Sequence, residues 1–128
     1  MSKKVLILDG SLYSRMVLRD MLISHGYSVI EATTGEEAVE MYERLHPDLV
    51  TVDATTPCID CARAVRQIML TDPEASILMC GGRGQRRMVM EGMSYGAAGV
   101  LLKPFNERQV LREIRNAAGR PPTSEPMT

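Results

Sequence analysis

The chain has 128 residues, 45% of them hydrophobic and 24% charged, with a formal net charge of −1; that length suits one domain with its own core. So balanced a charge forces no basic face and argues against a nucleic-acid-binding protein, and no apolar run is long enough to span a membrane. Met1-Ser2-Lys3-Lys4 leads straight into an apolar run instead of a secretory signal peptide, and three cysteines, an odd number, suit a reducing compartment better than a disulfide framework, so the expected location is the cytoplasm.

Val5-Leu6-Ile7-Leu8 is a short, continuously apolar run of the kind that forms a strand buried on both faces. Asp9-Gly10-Ser11 breaks it and can start a helix. Over residues 12–25, Leu18, Met21 and Leu22 stand at helical spacing, and Gly26 ends the pattern. Tyr27-Ser28-Val29-Ile30 reads as a second strand. Thr34 and Glu37 have capping-box spacing, which predicts a helix running to about Leu45 and closed by His46-Pro47-Asp48. The third strand is the run that ends at Asp53. Ala64, Val65, Ile68 and Met69 give the next helix, from Asp60 to about Leu70, an apolar face, and Asp72-Pro73 turns the chain. Ser76 to Cys80 reads as a fourth strand, followed by the glycine-rich Gly81-Gly82-Arg83-Gly84 and a helix near Gln85 to Ser94. Tyr95-Gly96 ends that helix, Gly99-Val100-Leu101-Leu102 is a fifth strand closed by Lys103-Pro104, and Val110, Leu111, Ile114 and Ala117 mark the last helix. Residues 119–128, rich in Pro, Ser and Thr and without apolar period, are expected to be a disordered tail beyond a domain over residues 1–118. Alternating strands and helices imply an α/β fold with a parallel sheet between two helical layers. Right-handed crossovers restrict its winding, but periodicity alone leaves the strand order open.

The stretch that organises the chain is Leu49-Val50-Thr51-Val52-Asp53-Ala54-Thr55-Thr56-Pro57. Val50, Thr51 and Val52 suit a strand. A charged side chain is costly inside such a core, so Asp53 belongs where the strand emerges, and Pro57 argues that the strand has stopped by then. Open α/β sheets bind ligands at the carboxyl ends of their strands. One acid is thus expected at the lip of a crevice.

Several features together carry a resemblance: Val5-Leu6-Ile7-Leu8-Asp9, Gly35-Glu36-Glu37-Ala38, Pro47-Asp48-Leu49-Val50, Asp53 with Pro57, Gly96-Ala97, and Lys103-Pro104-Phe105. Over about residues 3–118 the chain resembles the receiver domain of bacterial response regulators, especially the single-domain chemotaxis type. The resemblance implies a flavodoxin-like, three-layer αβα fold, its five-stranded sheet in the order 2-1-3-4-5. It makes Asp53 a phosphoacceptor that attacks a phosphoryl group carried by a sensor histidine kinase or phosphotransfer protein. Phosphoryl charge is then balanced by magnesium and by Lys103. Asp9 matches an acid that usually meets the metal through water, and Thr55 matches the position whose backbone carbonyl ligates it. The Lys103–Pro104 peptide is commonly cis in that family. With no output domain in this sequence, signalling is expected to pass to a downstream protein partner, by analogy through the last two helices and the fifth strand.

The pattern departs from the family at the centre of the site. A second acid normally follows Asp9, and here it is Gly10, so the direct metal ligand is lost and the magnesium site is expected to be weak. A Ser or Thr hydroxyl normally ends the fourth strand, and here Gly81 does. An aromatic normally stands three residues before the lysine, and here Val100 does. The hydroxyl and the aromatic move together in that family to report phosphorylation. Losing a ligand and a donor each removes transition-state stabilisation.

Other residues admit a functional and a structural reading. Cys58 and Cys61 form a C-x-x-C near a helix start, where a thiol pKa can fall, but the setting is not thioredoxin-like, and a zinc site needs four ligands. Cys80 reads as a core residue, and His25 and His46 lie at the far ends of their helices. Arg83, Arg86 and Arg87 form a solvated basic face, or one of them, Arg83 foremost, replaces the missing donor. Beside the atypical receiver stand two alternatives on the same fold: a phosphorylation-independent pseudo-receiver that acts as an interaction module, and a thiol-responsive module.

Overall fold

A computed structural model of the chain describes residues 3–54 and 59–118, the side chains of residues 59 and 60 excepted. Strand and helix alternate from β1 (Lys4–Leu8) and α1 (Leu12–Ser24) through β2 (Ser28–Ala32), α2 (Gly35–Leu45), β3 (Leu49–Asp53), α3 (Ile59–Thr71), β4 (Ile77–Gly81), α4 (Arg86–Ser94) and β5 (Gly99–Leu102) to α5 (Glu107–Ala118). The strands form one parallel sheet in the order β2-β1-β3-β4-β5, the order that the resemblance implies.

The continuous apolar runs have a simple cause. Successive side chains of a strand point to opposite faces, and both faces here are covered. Leu6, Leu8, Val50, Val52 and Met79 pack with Ala38, Val65 and Ile68 on one side. Val5, Ile7, Leu49, Leu78 and Leu101 pack with Leu18, Leu22 and Ile114 on the other. Every residue of β3 and of β4 is buried. Where α4 crosses β4, Gly92 allows close approach, because the Met79 side chain fills the place a Cβ would take.

Element ends follow hydrogen bonds that apolar spacing does not encode. The Ser11 hydroxyl caps α1 by accepting from the Ser14 N–H at 3.3 Å. Thr34 caps α2 through the Glu37 N–H at 3.1 Å, and the Glu37 carboxylate reaches back to the Thr33 N–H at 2.8 Å. Tyr27, expected in the second strand, instead closes α1, its N–H donating to the Leu22 carbonyl at 3.0 Å, so β2 begins at Ser28 and runs on to Ala32. β4 begins one residue later than expected, at Ile77, and continues through Gly81, whose carbonyl accepts from the Lys103 N–H at 2.9 Å. Asn106 caps the start of α5, its side-chain oxygen accepting from the Gln109 N–H at 3.0 Å. The expected tail over residues 119–128 lies outside the described residues.

Candidate functional site

A parallel sheet brings all its carboxyl ends to one edge, and the polar residues gather there. Asp9 follows β1, Asp53 ends β3, Gly81 ends β4 and Lys103 follows β5. Asp53 is 1% exposed and Asp9 3%. Lys103 Nζ lies 2.6 Å from Asp53 Oδ1, with the lysine side chain 22% exposed. The same amine stands 5.7 Å from the centroid of the Phe105 ring, within cation–π range. The Lys103–Pro104 peptide is cis.

Asp9 is fixed by its neighbours: Oδ1 accepts from the Ser11 N–H at 2.8 Å, and its backbone carbonyl accepts from Arg15 Nη1 at 2.7 Å. Burial pushes its carboxyl above the usual range, and the nearby charge of Asp53 pushes the same way. The Ser11 N–H, the Ser14 hydroxyl and the Lys103 charge oppose that rise. Two buried carboxylates beside one ammonium favour a further cation. They also make a nucleophile with positive charge at hand for the oxygens of an incoming group.

Both acids offer hard oxygen donors, the kind magnesium takes. Gly10 contributes no side chain, and among the described residues no group of three or more His, Cys, Asp or Glu side chains is placed to hold a metal. Two carboxylates remain within what magnesium uses when phosphate oxygens and waters complete its shell. The donors present therefore fit this ion, as a sparse set.

The structure thus brings Asp9, Asp53 and Lys103 together. Thr55, Pro57 and Cys58 lie outside the described residues, as does the side chain of Asp60. Cys61 is buried, and its thiol donates to the backbone carbonyl of Asp53 at 3.4 Å. Cys80 is a core residue, and burial pushes its thiol well above the usual range. His25 caps the end of α1 and pairs with Glu107 at 2.6 Å, and His46 caps the end of α2, so both are remote from the acids. Arg83, Arg86 and Arg87 are exposed.

Sequence reasoning missed Gln85. Its Oε1 accepts from the Gly82 N–H at 2.8 Å, folding the first residue before α4 back over the end of β4. A Cβ built on Gly81 would lie 2.8 Å from Val89 Cγ2, 3.4 Å from Gln85 Cβ and 3.5 Å from Ala54 Cβ. The signal available was a polar side chain one turn beyond a glycine pair, which many surface turns share.

A family model described as "Response regulator receiver domain" matches residues 5–115. Two chemotaxis proteins CheY are similar over nearly their whole length. The one from Thermotoga maritima is 41% identical over 92% of this chain and 99% of its own, and the one from Bacillus subtilis is 39% identical over 89% and 96%. Among solved structures, chemotaxis protein CheY4 of Vibrio cholerae has a TM-score of 0.83 at 27% identity, over 91% of this chain and 99% of that one. A Chloroflexus aurantiacus structure has a TM-score of 0.86 at 26% identity, over 94% and 100%.

Proposed function

The chain belongs to the response regulator receiver family, and from that premise we propose that Asp53 accepts a phosphoryl group, with Lys103 and Asp9 as its working partners and without the family's usual switch residues. Receiver domains are signalling modules that meet histidine kinases or phosphotransfer proteins on one side and downstream targets on the other. The coarse role here is that of a CheY-type receiver in two-component signalling. The observation that carries the finer reading is the 2.6 Å contact between Lys103 Nζ and the nearly inaccessible Asp53 carboxylate, at the one edge where all five strands end.

In this reading an Asp53 carboxylate oxygen forms the bond to phosphorus as the bond to the donor's histidine nitrogen breaks, and that electron pair leaves with the imidazole. Lys103 holds the carboxylate in place beforehand and turns its charge to the phosphoryl oxygens as they arrive. Asp9 and Asp53, with the carbonyl of Thr55, would hold magnesium, which supplies the remaining positive charge when bound. Asp9 is pre-set for this by the Ser11 N–H and by Arg15, which anchors its backbone. With glycine at 10, one direct ligand is missing, so magnesium binding and phosphotransfer are both weaker than with a full set. With Gly81 and Val100 in place of a hydroxyl and an aromatic, the signal leaves the site by another route. A kinase or phosphotransfer partner meets the site in the cytoplasm.

The second reading, a pseudo-receiver, is favoured by the same ion pair, which already satisfies the acid without phosphate. One experiment separates the two. Intact mass is followed after exposure to acetyl phosphate and magnesium chloride, for the natural chain and for Asp53→Asn. Gain of one phosphoryl group in the natural chain and none in the variant is expected. No gain at saturating reagent would replace the first reading with the second.

A further inference from the structure

We propose that Gln85 donates to the phosphoryl oxygen from the place left by the absent side chain at residue 81; this rests on the reading of Asp53 as phosphoacceptor. Residue 81 is held by backbone bonds to Lys103 and, through its neighbour, to Ala54, the residue after Asp53. The Gly81 carbonyl accepts from the Lys103 N–H at 2.9 Å, and the preceding carbonyl, of Cys80, accepts from the Ala54 N–H at 2.8 Å. A side chain at 81 would start in a niche bounded by Val89, Gln85 and Ala54, and of these three only Gln85 carries a polar group. Val89 already fills part of that niche, its Cγ2 standing 2.8 Å from where a Cβ would lie, so a larger residue at 81 is excluded without change in α4.

Gln85 reaches the same ground from the other side. Its Oε1 is committed to the Gly82 N–H at 2.8 Å, and a Cβ on Gly82 would lie 3.7 Å from that oxygen and 3.3 Å from the Lys103 carbonyl. The amide oxygen therefore sits at the Gly82 N–H just past the end of β4, and the Lys103 carbonyl borders the same glycine. A carboxamide whose oxygen is taken keeps its two N–H hydrogens as donors. An acyl phosphate presents anionic oxygens, and donors preorganised toward such charge are the ones that lower a phosphotransfer barrier. The covalent step is unchanged. The Asp53 oxygen bonds to phosphorus, the donor's bond to phosphorus breaks, and its electron pair leaves with the leaving group, acetate when acetyl phosphate is the reagent.

The test measures the initial rate of Asp53 phosphorylation by acetyl phosphate in magnesium chloride. Gln85→Glu keeps an oxygen for the Gly82 N–H and removes the donor. It is expected to slow the reaction roughly tenfold to a hundredfold, the scale of one hydrogen bond to a charged group. Gly81→Ser with Val89→Ala opens the niche and puts a hydroxyl in it; added to Gln85→Ala, this pair is expected to recover at least half of the natural rate. In the natural chain the Gln85 side-chain amide protons are expected to shift downfield in the NMR spectrum on phosphorylation. A natural rate in Gln85→Glu, or unmoved amide protons in the phosphorylated chain, would overturn the role of Gln85 and leave Asp53 as the acceptor. A natural chain that takes no phosphoryl group would overturn both.

Discussion

Asp53 and Lys103 form an ion pair in which the carboxylate is nearly inaccessible and the ammonium partly exposed. A carboxylate 1% exposed has little water to stabilise its charge, and the ammonium at 2.6 Å supplies what water does not. Lys103→Met is therefore expected to destabilise the fold by about 2–3 kcal/mol in urea unfolding, somewhat under the range for breaking a fully buried pair because the lysine is partly exposed. Adding Asp53→Asn should restore most of that loss; if the double variant is as unstable as the sum of the singles, the pair is not coupled. Asp53 was legible in the sequence because it ends an apolar run, where a charge has only one affordable place; Lys103 was placed after the fifth strand, and its part in the site came from the resemblance. Gln85 was not legible, since its position depends on the Gly82 N–H bending it back and on what residue 81 lacks. Cys61 illustrates the same limit: as half of a C-x-x-C near a helix start it left a thiol role open, while in the fold it is buried against the Asp53 carbonyl.

Helices α2 and α3 are tied at their carboxyl ends by one hydrogen bond, in which the Tyr42 hydroxyl donates to Asp72 Oδ2 at 2.7 Å. Burial, with the Asp72 bond second, raises the Tyr42 hydroxyl above its usual range, so it stays a donor at neutral pH. The same bond holds the Asp72 carboxyl below its ordinary value of 3.8. A lowered acid contributes stability that is complete above the unfolded value and is lost as pH falls through the folded one. Tyr42→Phe should thus lower Tm by a few degrees at neutral pH, and the gap from the natural chain should narrow as the pH is taken below 3.8. A constant gap across that window would mean the bond contributes nothing through the ionised form. At this scale the sequence showed every element but not every end. Apolar spacing reports which face is buried, whereas Tyr27, Gly81 and Asn106 are placed by backbone and side-chain hydrogen bonds that leave no periodic trace.

For the molecule as a whole, strand order was the part that periodicity left open. Runs apolar at every position announce strands covered on both faces without saying which lie side by side, and the order came from resemblance. Because Asp9 directly follows β1 and Asp53 ends the adjacent β3, a cation held between them is linked to global unfolding. At ten times its Kd, magnesium would add about 1.4 kcal/mol, or roughly 5–6 °C in Tm for a domain of this size. That shift should appear in the natural chain under millimolar magnesium and shrink in Asp9→Asn and Asp53→Asn; equal shifts in all three would place the ion elsewhere. The charge pair has one more effect at this scale. β5 hydrogen-bonds only to β4 and is an outer strand of the sheet, yet the lysine that follows it grips the acid of β3, two strands inward. An outer strand is ordinarily the first to fray, and here an electrostatic brace spans its neighbour and fastens it to the middle. Without that amine, backbone deuterium uptake at Val100 and Leu101 should accelerate ahead of uptake in β1, so that the molecule would begin to come apart from the side facing α5.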